Sequence, residues 1–269
     1  MTFPNHPLSV ISPENEPPLL TTQEEKIQLI SRFDIDNLVI MPFTEKVAAQ
    51  KPEVIVRFLS GFIPLRKVVV GYNFHFGHNA SGTITSIRKL GLRYGFEVTV
   101  MPPAAFEGTP VSSTRIRTLL LVGESMQAAG LMGRGYMLSG ETHAGKQIGR
   151  NIGFPTVNLC PQDKKLIPKR GVYTTMMSVG DGDWVPAVTN VGSNPTVNSH
   201  YDSVRIESHG LHGVDVAYGE HVRIVFLDRL RDEVVFSGLD ALKGQLAHDV
   251  AAAKALHLEK LALYKALIP

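Results

Sequence analysis

The chain has 269 residues, 43% of them apolar and 19% charged, a balance that suits a folded globular protein with a substantial core. Its net charge is +2, and residues 1–133 (12 basic, 11 acidic) and 134–269 (15 basic, 14 acidic) each carry +1, so neither half offers a basic surface to a nucleic-acid backbone. The single cysteine, Cys160, excludes an internal disulfide and a thiolate zinc site and is expected to be a small buried residue; with no secretory leader and no run of about 18 apolar residues, the sequence predicts a cytoplasmic protein without a membrane partner.

From Leu20 to Leu131 apolar strands alternate with amphipathic helices. Thr22 and Glu25 form a capping-box pair ahead of Ile27, Leu29 and Ile30, and Leu38–Met41 reads as a strand. Pro52 suits the first turn of a helix ending near Phe62, Val68–Val70 is a buried strand, a helix spans Ile84–Tyr94, and Phe96–Met101 is a further strand. This rhythm predicts a parallel, doubly wound sheet, whose ligands bind beyond the carboxyl ends of the strands. Two segments fall there: Gly71-Tyr-Asn-Phe-His-Phe-Gly77, and Val111-Ser-Ser-Thr-Arg-Ile-Arg117, which opens a helix with capping residues and arginines that suit an anion. Taken alone, Ser112 and Ser113 are better read as ordinary helix caps.

After a short helix around Ser125–Leu131 the pattern changes. Short extended segments follow at Tyr136–Thr142, Gly171–Val179, Trp184–Val191, Ser203–Glu207, His221–Leu227 and Glu233–Phe236, separated by turn residues such as Gly180-Asp-Gly-Asp183. About six strands without intervening long helices predict a small antiparallel barrel. From Leu239 onward apolar residues at 242, 246, 250, 253 and 256 predict a C-terminal amphipathic helix.

The densest chemistry lies in Gly149-Arg-Asn-Ile-Gly-Phe-Pro-Thr-Val-Asn158. Pro155 favours extended backbone, so Thr156 and Asn158 project from one strand face, where a hydroxyl and an amide carbonyl suit a magnesium ion that keeps water and phosphate in its shell. Gly145, Gly149 and Gly153 let backbone N–H groups approach phosphate oxygens closely. A glycine-rich turn entering an ordinary strand explains the spacing equally well. Glu207 alone reads as a solvated strand carboxylate, and His75, His78 and His143 show no metal-ligand spacing.

Together, Gly71–Gly77, Val111–Arg117, Gly149–Asn158, Asn190-Val-Gly-Ser-Asn-Pro-Thr196 and Tyr218-Gly219 occur in an order that resembles bacterial bifunctional riboflavin kinase/FAD synthetases over nearly the whole chain. The resemblance implies a Rossmann-like nucleotidyltransferase domain over 1–126, N-terminally truncated, a linker at 127–133, and a β-barrel riboflavin kinase with a C-terminal helix over 134–269. It implies that the kinase makes FMN from riboflavin and ATP, with Thr156 and Asn158 on the magnesium nucleotide and Glu207 as general base for the ribityl hydroxyl. It also implies that His6, Asn73, Ser113, Thr114 and Arg117 contact nucleotide in the adenylyltransferase half, which converts FMN to FAD.

Two departures follow. The family begins with a strand and a His-x-Gly-His loop at a helix start, whereas Met1-Thr-Phe-Pro-Asn-His-Pro7 aligns with its second strand, so the first strand, that loop and a helix are expected to be missing. FAD formation by this chain is therefore doubtful, and a displaced start explains the gap better than loss, because a parallel sheet without a central strand leaves ladder groups open. Ala144 and Ile148 stand where the family usually has His and Arg. The alternative to an enzyme is a non-catalytic flavin- or nucleotide-binding module, which has little need of a base at 207.

Overall fold

The computed structural model describes residues 1–144, 149, 152–193, 204–214 and 216–269. They divide into two compact units, Met1–Pro17 with Gln23–Pro110, and Pro18–Thr22 with Val111–Pro269.

In the first unit, strands β1 (Lys67–Gly71) and β2 (Glu97–Met101) pair in parallel, Lys67 opposite Glu97 and Gly71 opposite Met101. The helix Ile84–Tyr94 makes the crossover. It starts at a capping box between Thr83 and Ser86 and stops at Gly95, whose φ of 78° an L-residue would adopt only under strain. The helix Pro52–Phe62 has its proline in the first turn, as expected. Val56, Val70, Ile87 and Phe96 form the unit's core. The predicted strand at Leu38–Met41 is reduced to a single parallel bridge between Ile40 and Thr2. A short hairpin of β3 (Ala105–Phe106) and β4 (Thr109–Pro110) ends this unit.

The second unit opens with the helices Ser113–Val122 and Ser125–Met132, so residues 127–132, read above as linker, are helical. Six strands follow: β5 (Tyr136–His143), β6 (Val157–Pro161), β7 (Gly171–Val179), β8 (Val185–Ser193), β9 (Val204–Gly210) and β10 (His221–Arg231). They close into a barrel in the order β10-β5-β6-β9-β8-β7. Alternate residues point inward: Leu138, Leu159, Tyr173, Ala187, Val191, Ile206, Ile224 and Phe226 share one core with Ile116, Leu120, Ala128 and Leu131 of the two helices. These helices belong to the same compact unit as the barrel and Pro18–Thr22. Inside the barrel, hydroxyls satisfy one another, with Thr175 and Thr189 at 2.8 Å and Thr189 donating to Ser208 at 2.9 Å.

Two expectations are corrected. Glu233–Phe236 is no strand; β10 runs on to Arg231 through two register shifts, and the segment leads from there toward the C-terminal helix Leu239–Glu259. Cys160 is exposed, because the inward position on β6 belongs to Leu159, which is 1% exposed.

Pro18–Thr22 lies against the barrel as a strap. Leu19 N–H donates to Lys164 O at 2.7 Å and Leu166 N–H to Leu19 O at 2.8 Å, while Lys165 Nζ reaches Leu20 O and Arg117 Nε reaches Pro18 O, each at 2.8 Å. Lys165 is 1% exposed and its ammonium also sits 4.9 Å from the Tyr136 ring centroid. Residues 111–269 expressed without the strap are expected to melt earlier than the same unit in the whole chain. Each buried donor left without its carbonyl costs about 1–3 kcal/mol. The fluorescence of Trp184, the only tryptophan, reads that melt.

Candidate functional site

The outer face of the barrel carries the candidate site. Opposed residues of antiparallel strands project to the same side, and Glu207 on β9 faces Asn158 on β6 and Asn190 on β8. Thr156, two residues before Asn158, shares that face, as does Arg205, two before Glu207. His143 on β5 pairs with Asn158 and continues the same row. Glu207 thus sits between two carboxamides, with a hydroxyl one step along the strand.

A cavity of about 240 Å³ opens beside this row. Its polar wall includes Gly149, Thr156, Asn190, Arg205, Glu207 and His209. Its apolar lining includes Phe154, Val234, Phe236 and, on the C-terminal helix, Leu242, Leu246 and Val250. Those helix residues belong to the apolar series read from the sequence. Charged and polar side chains that suit phosphate-bearing groups and apolar ones that suit a flat ring line the same cavity, the usual mix of a small-molecule pocket. Asn158 is only 7% exposed and does not line the cavity, whereas Thr156 does.

Glu207 is largely buried, and burial pushes its carboxyl above the usual range, with Arg205 pulling the other way through its charge and hydrogen bond. Arg205 Nη2 lies 2.6 Å from Glu207 Oε1. A carboxylate kept more basic than an exposed one, yet still paired with a cation, suits proton abstraction from an alcohol.

The glycine segment closes on itself. Phe154 N–H donates to Gly149 O at 2.7 Å, and a Cβ at Gly149 would come within 2.3 Å of Phe154 O, so only glycine fits. Gly153 has φ 92°. His209 Nδ1 lies 2.8 Å from Pro155 O, and its ring meets Phe154 edge-on at 5.6 Å, which fixes the entry into β6. Gly145 and Ile148 lie outside the described residues, as do residues 194–196 of the Asn190–Thr196 segment.

Arg231 secures the helix wall: its Nε and Nη2 meet Asp249 Oδ1 and Oδ2 at 2.9 and 2.6 Å, and Gln245 Nε2 adds a 2.8 Å bond to Oδ1. Asp249 is 2% exposed. Arg205, Arg231, Asp249 and Phe236 were not picked out in the sequence. Asn190 was only part of a motif, and its place beside Glu207 follows from long-range register.

The residues predicted for adenylyl transfer lie elsewhere. His6 Nδ1 accepts from Leu8 N–H at 3.1 Å, and Asn73 O lies 2.9 Å from His75 Nδ1, both in the first unit. Ser113, Thr114 and Arg117 belong to the second unit, on the helix that Ser112 caps by accepting from Arg115 N–H. A His-x-Gly-His string does occur in the chain, at His75-Phe-Gly-His78. It follows β1 and runs into a single 3₁₀ turn, His78–Ala80, rather than opening an α-helix.

Comparison with known proteins follows this geometry. A family model described as riboflavin kinase matches residues 132–257, and one described as FAD synthetase matches residues 1–115. The bifunctional riboflavin kinase/FMN adenylyltransferase of Escherichia coli K12 is 30% identical over 259 residues, covering 94% of this chain and 80% of its own length. The chain belongs to this family. The Haemophilus influenzae member is 28% identical over 256 residues, 95% of this chain and 82% of its own. As a family member the chain is a transferase with a riboflavin kinase domain and an FAD synthetase domain, and ATP is its co-substrate. Nothing in these comparisons favours a non-catalytic module.

A crystal structure from Streptococcus pneumoniae titled as a macrolide-efflux protein superposes with a TM-score of 0.82 at 26% identity, covering 94% of this chain and 82% of that one. The efflux activity in that title concerns the Streptococcus protein. Among the described residues here, no helix is long and apolar enough to cross a membrane.

Proposed function

We propose that the cavity on the outer face of the barrel is where the terminal ribityl hydroxyl of riboflavin meets the γ-phosphate of ATP, with Glu207 as the base. The observation that carries this reading is the placement of Glu207: on the cavity wall, in one row with Asn158 and Asn190, in a lining that also holds apolar side chains suited to an isoalloxazine ring. Phosphoryl transfer asks mainly for in-line positioning and neutralised charge, and the base removes the alcohol proton as the new bond forms.

Thr156 and Asn158 would hold magnesium through oxygen. Among the described residues there is no cluster of three or more His, Cys, Asp or Glu for a metal, so the ion would complete its shell from ATP and water. When bound, magnesium draws charge from the transferring phosphate. Gly149 and Gly153, with Gly145 preceding them, would present backbone N–H groups to the phosphates. We assign the kinase to residues 134–269, supported by the strap and by the helices Ser113–Val122 and Ser125–Met132. His6, Asn73, Ser113, Thr114 and Arg117 are assigned to nucleotide in the conversion of FMN to FAD by residues 1–126. We infer a cytoplasmic protein that acts on riboflavin, FMN and ATP, without nucleic-acid or membrane partners.

Incubation with riboflavin, ATP and magnesium, followed by separation of the flavins, tests the reading. FMN is expected, and chelation of magnesium with EDTA is expected to abolish it. FAD among the products reports on the N-terminal domain, and the absence of any new flavin would overturn the assignment.

A further inference from the structure

We propose that Arg205 is a positioning residue for phosphoryl transfer: it holds one carboxylate oxygen of Glu207 so that the other is presented to the substrate alcohol. This rests on the assignment of Glu207 as the base.

Three carboxylates line the cavity, and each is tied differently. Asp249 is gripped by Arg231 through both oxygens and by Gln245, an arrangement that fastens the C-terminal helix. Glu233 Oε1 accepts from Ser193 N–H at 3.3 Å and lies over Gly192, within 2.7 Å of where a Cβ would be. Both are committed to the scaffold. Glu207 is held by a side chain from its own strand, Arg205, at 2.6 Å through Oε1. The two side chains retain 28% and 20% of their exposure and both face the cavity. The position opposite Arg205 on β8 is Gly192, and the Glu233 carboxyl that lies over it is turned to Ser193 N–H.

A glutamate has three side-chain torsions, and a base must stay within hydrogen-bond reach of the proton it takes. A guanidinium on one oxygen restrains those torsions and directs the second oxygen. As the alcohol oxygen bonds to the γ-phosphorus and the bond from that phosphorus to its bridging oxygen breaks, the alcohol proton passes to Glu207. ADP leaves with the electron pair of the broken bond. Arg205 takes no proton and makes no new bond in this step.

The test is a double-mutant cycle on the full-length chain. Arg205→Met and Arg205→Lys are made in the native and Glu207→Gln backgrounds, and FMN formation is followed under steady-state and single-turnover conditions, with the Trp184 melt recorded for each. Arg205→Met is expected to lower kcat by on the order of ten- to a hundredfold, the scale of a misplaced catalytic group, with KM for riboflavin and ATP held within about twofold. Arg205→Lys is expected to recover most of the rate, and Arg205→Met to add nothing where residue 207 is already Gln, because coupled residues are not additive. Unchanged kcat in Arg205→Met, a raised KM for ATP, or an equal loss in both backgrounds would overturn the proposal. Full activity in Glu207→Gln alone would instead remove the base assignment beneath it. If Arg205→Met fails to fold, Arg205→Gln carries the same comparison.

Discussion

Glu207→Gln is expected to slow FMN formation by on the order of a hundredfold or more, the contribution of a positioned general base, while leaving the barrel unit as stable as the native protein at neutral pH. Amide and carboxylate are nearly isosteric, so substrate binding is retained and the loss falls on kcat. The stability half follows from the sign of the ionisation. Burial raises the Glu207 carboxyl in the fold. A group raised in this way adds stability below its unfolded pKa, about 4.3, and loses it as pH rises through the folded value. Above that folded value the native protein carries a charge that its surroundings disfavour, and Gln removes that charge. The offsetting loss is the contact to Arg205, which keeps 28% of its exposure and can be hydrated. Turnover assays and urea melts on the same preparation check both halves; a variant that is slow only because it is unfolded would break the argument.

Asp249→Ala is expected to have the largest effect on stability, about 3–5 kcal/mol, measured as a shift in the urea midpoint. Removing the carboxylate takes the partner from Nε and Nη2 of Arg231 and from the Gln245 amide, leaving the guanidinium its Nη1 bond to Asp232 O. The same change loosens the helix that supplies Leu242, Leu246 and Val250 to the cavity, so KM for riboflavin should rise more than KM for ATP. The double variant Arg231→Met/Asp249→Leu is expected to regain much of the stability, because an apolar pair of similar volume avoids desolvating two charges. Recovery of stability without recovery of riboflavin affinity would show that the pair also aligns the helix.

Much of the architecture was legible because it is local. Thr83, Gly95 and Pro52 mark helix ends through their own backbone chemistry, and the Ile84–Tyr94 helix appears with its predicted limits. Likewise Leu242, Leu246 and Val250 announce their common face by spacing alone. Glu233–Phe236 misled because Val234, Val235 and Phe236 favour extended structure wherever they are placed. The register shifts at Arg229 and Arg231, invisible in the sequence, turn that segment toward the helix instead. The site itself was half legible. Thr156, Asn158 and Glu207 stood out only through a set of motifs, whereas the contact of Arg205 with Glu207 depends on which rotamers a crowded barrel face allows. Cys160 shows the same limit, since a one-residue change of phase on β6 decides between interior and solvent.

The strap has a consequence for how the chain folds. The Lys165 ammonium and the Leu20 carbonyl that receives it are 145 residues apart, and Arg117 and Pro18 are 99 apart. Residues 23–110, which with Met1–Pro17 make up the first unit, thus separate the strap from the rest of the barrel unit in the sequence. The entropy of closing so long a loop grows only logarithmically with its length, and an intervening segment already folded shortens the effective span further. During synthesis the strap emerges well before its partners at residues 117 and 164–166, and the barrel strands Gly171–Arg231 follow later still. The final closure of the kinase unit is therefore expected to be a late, post-translational event in the life of each molecule.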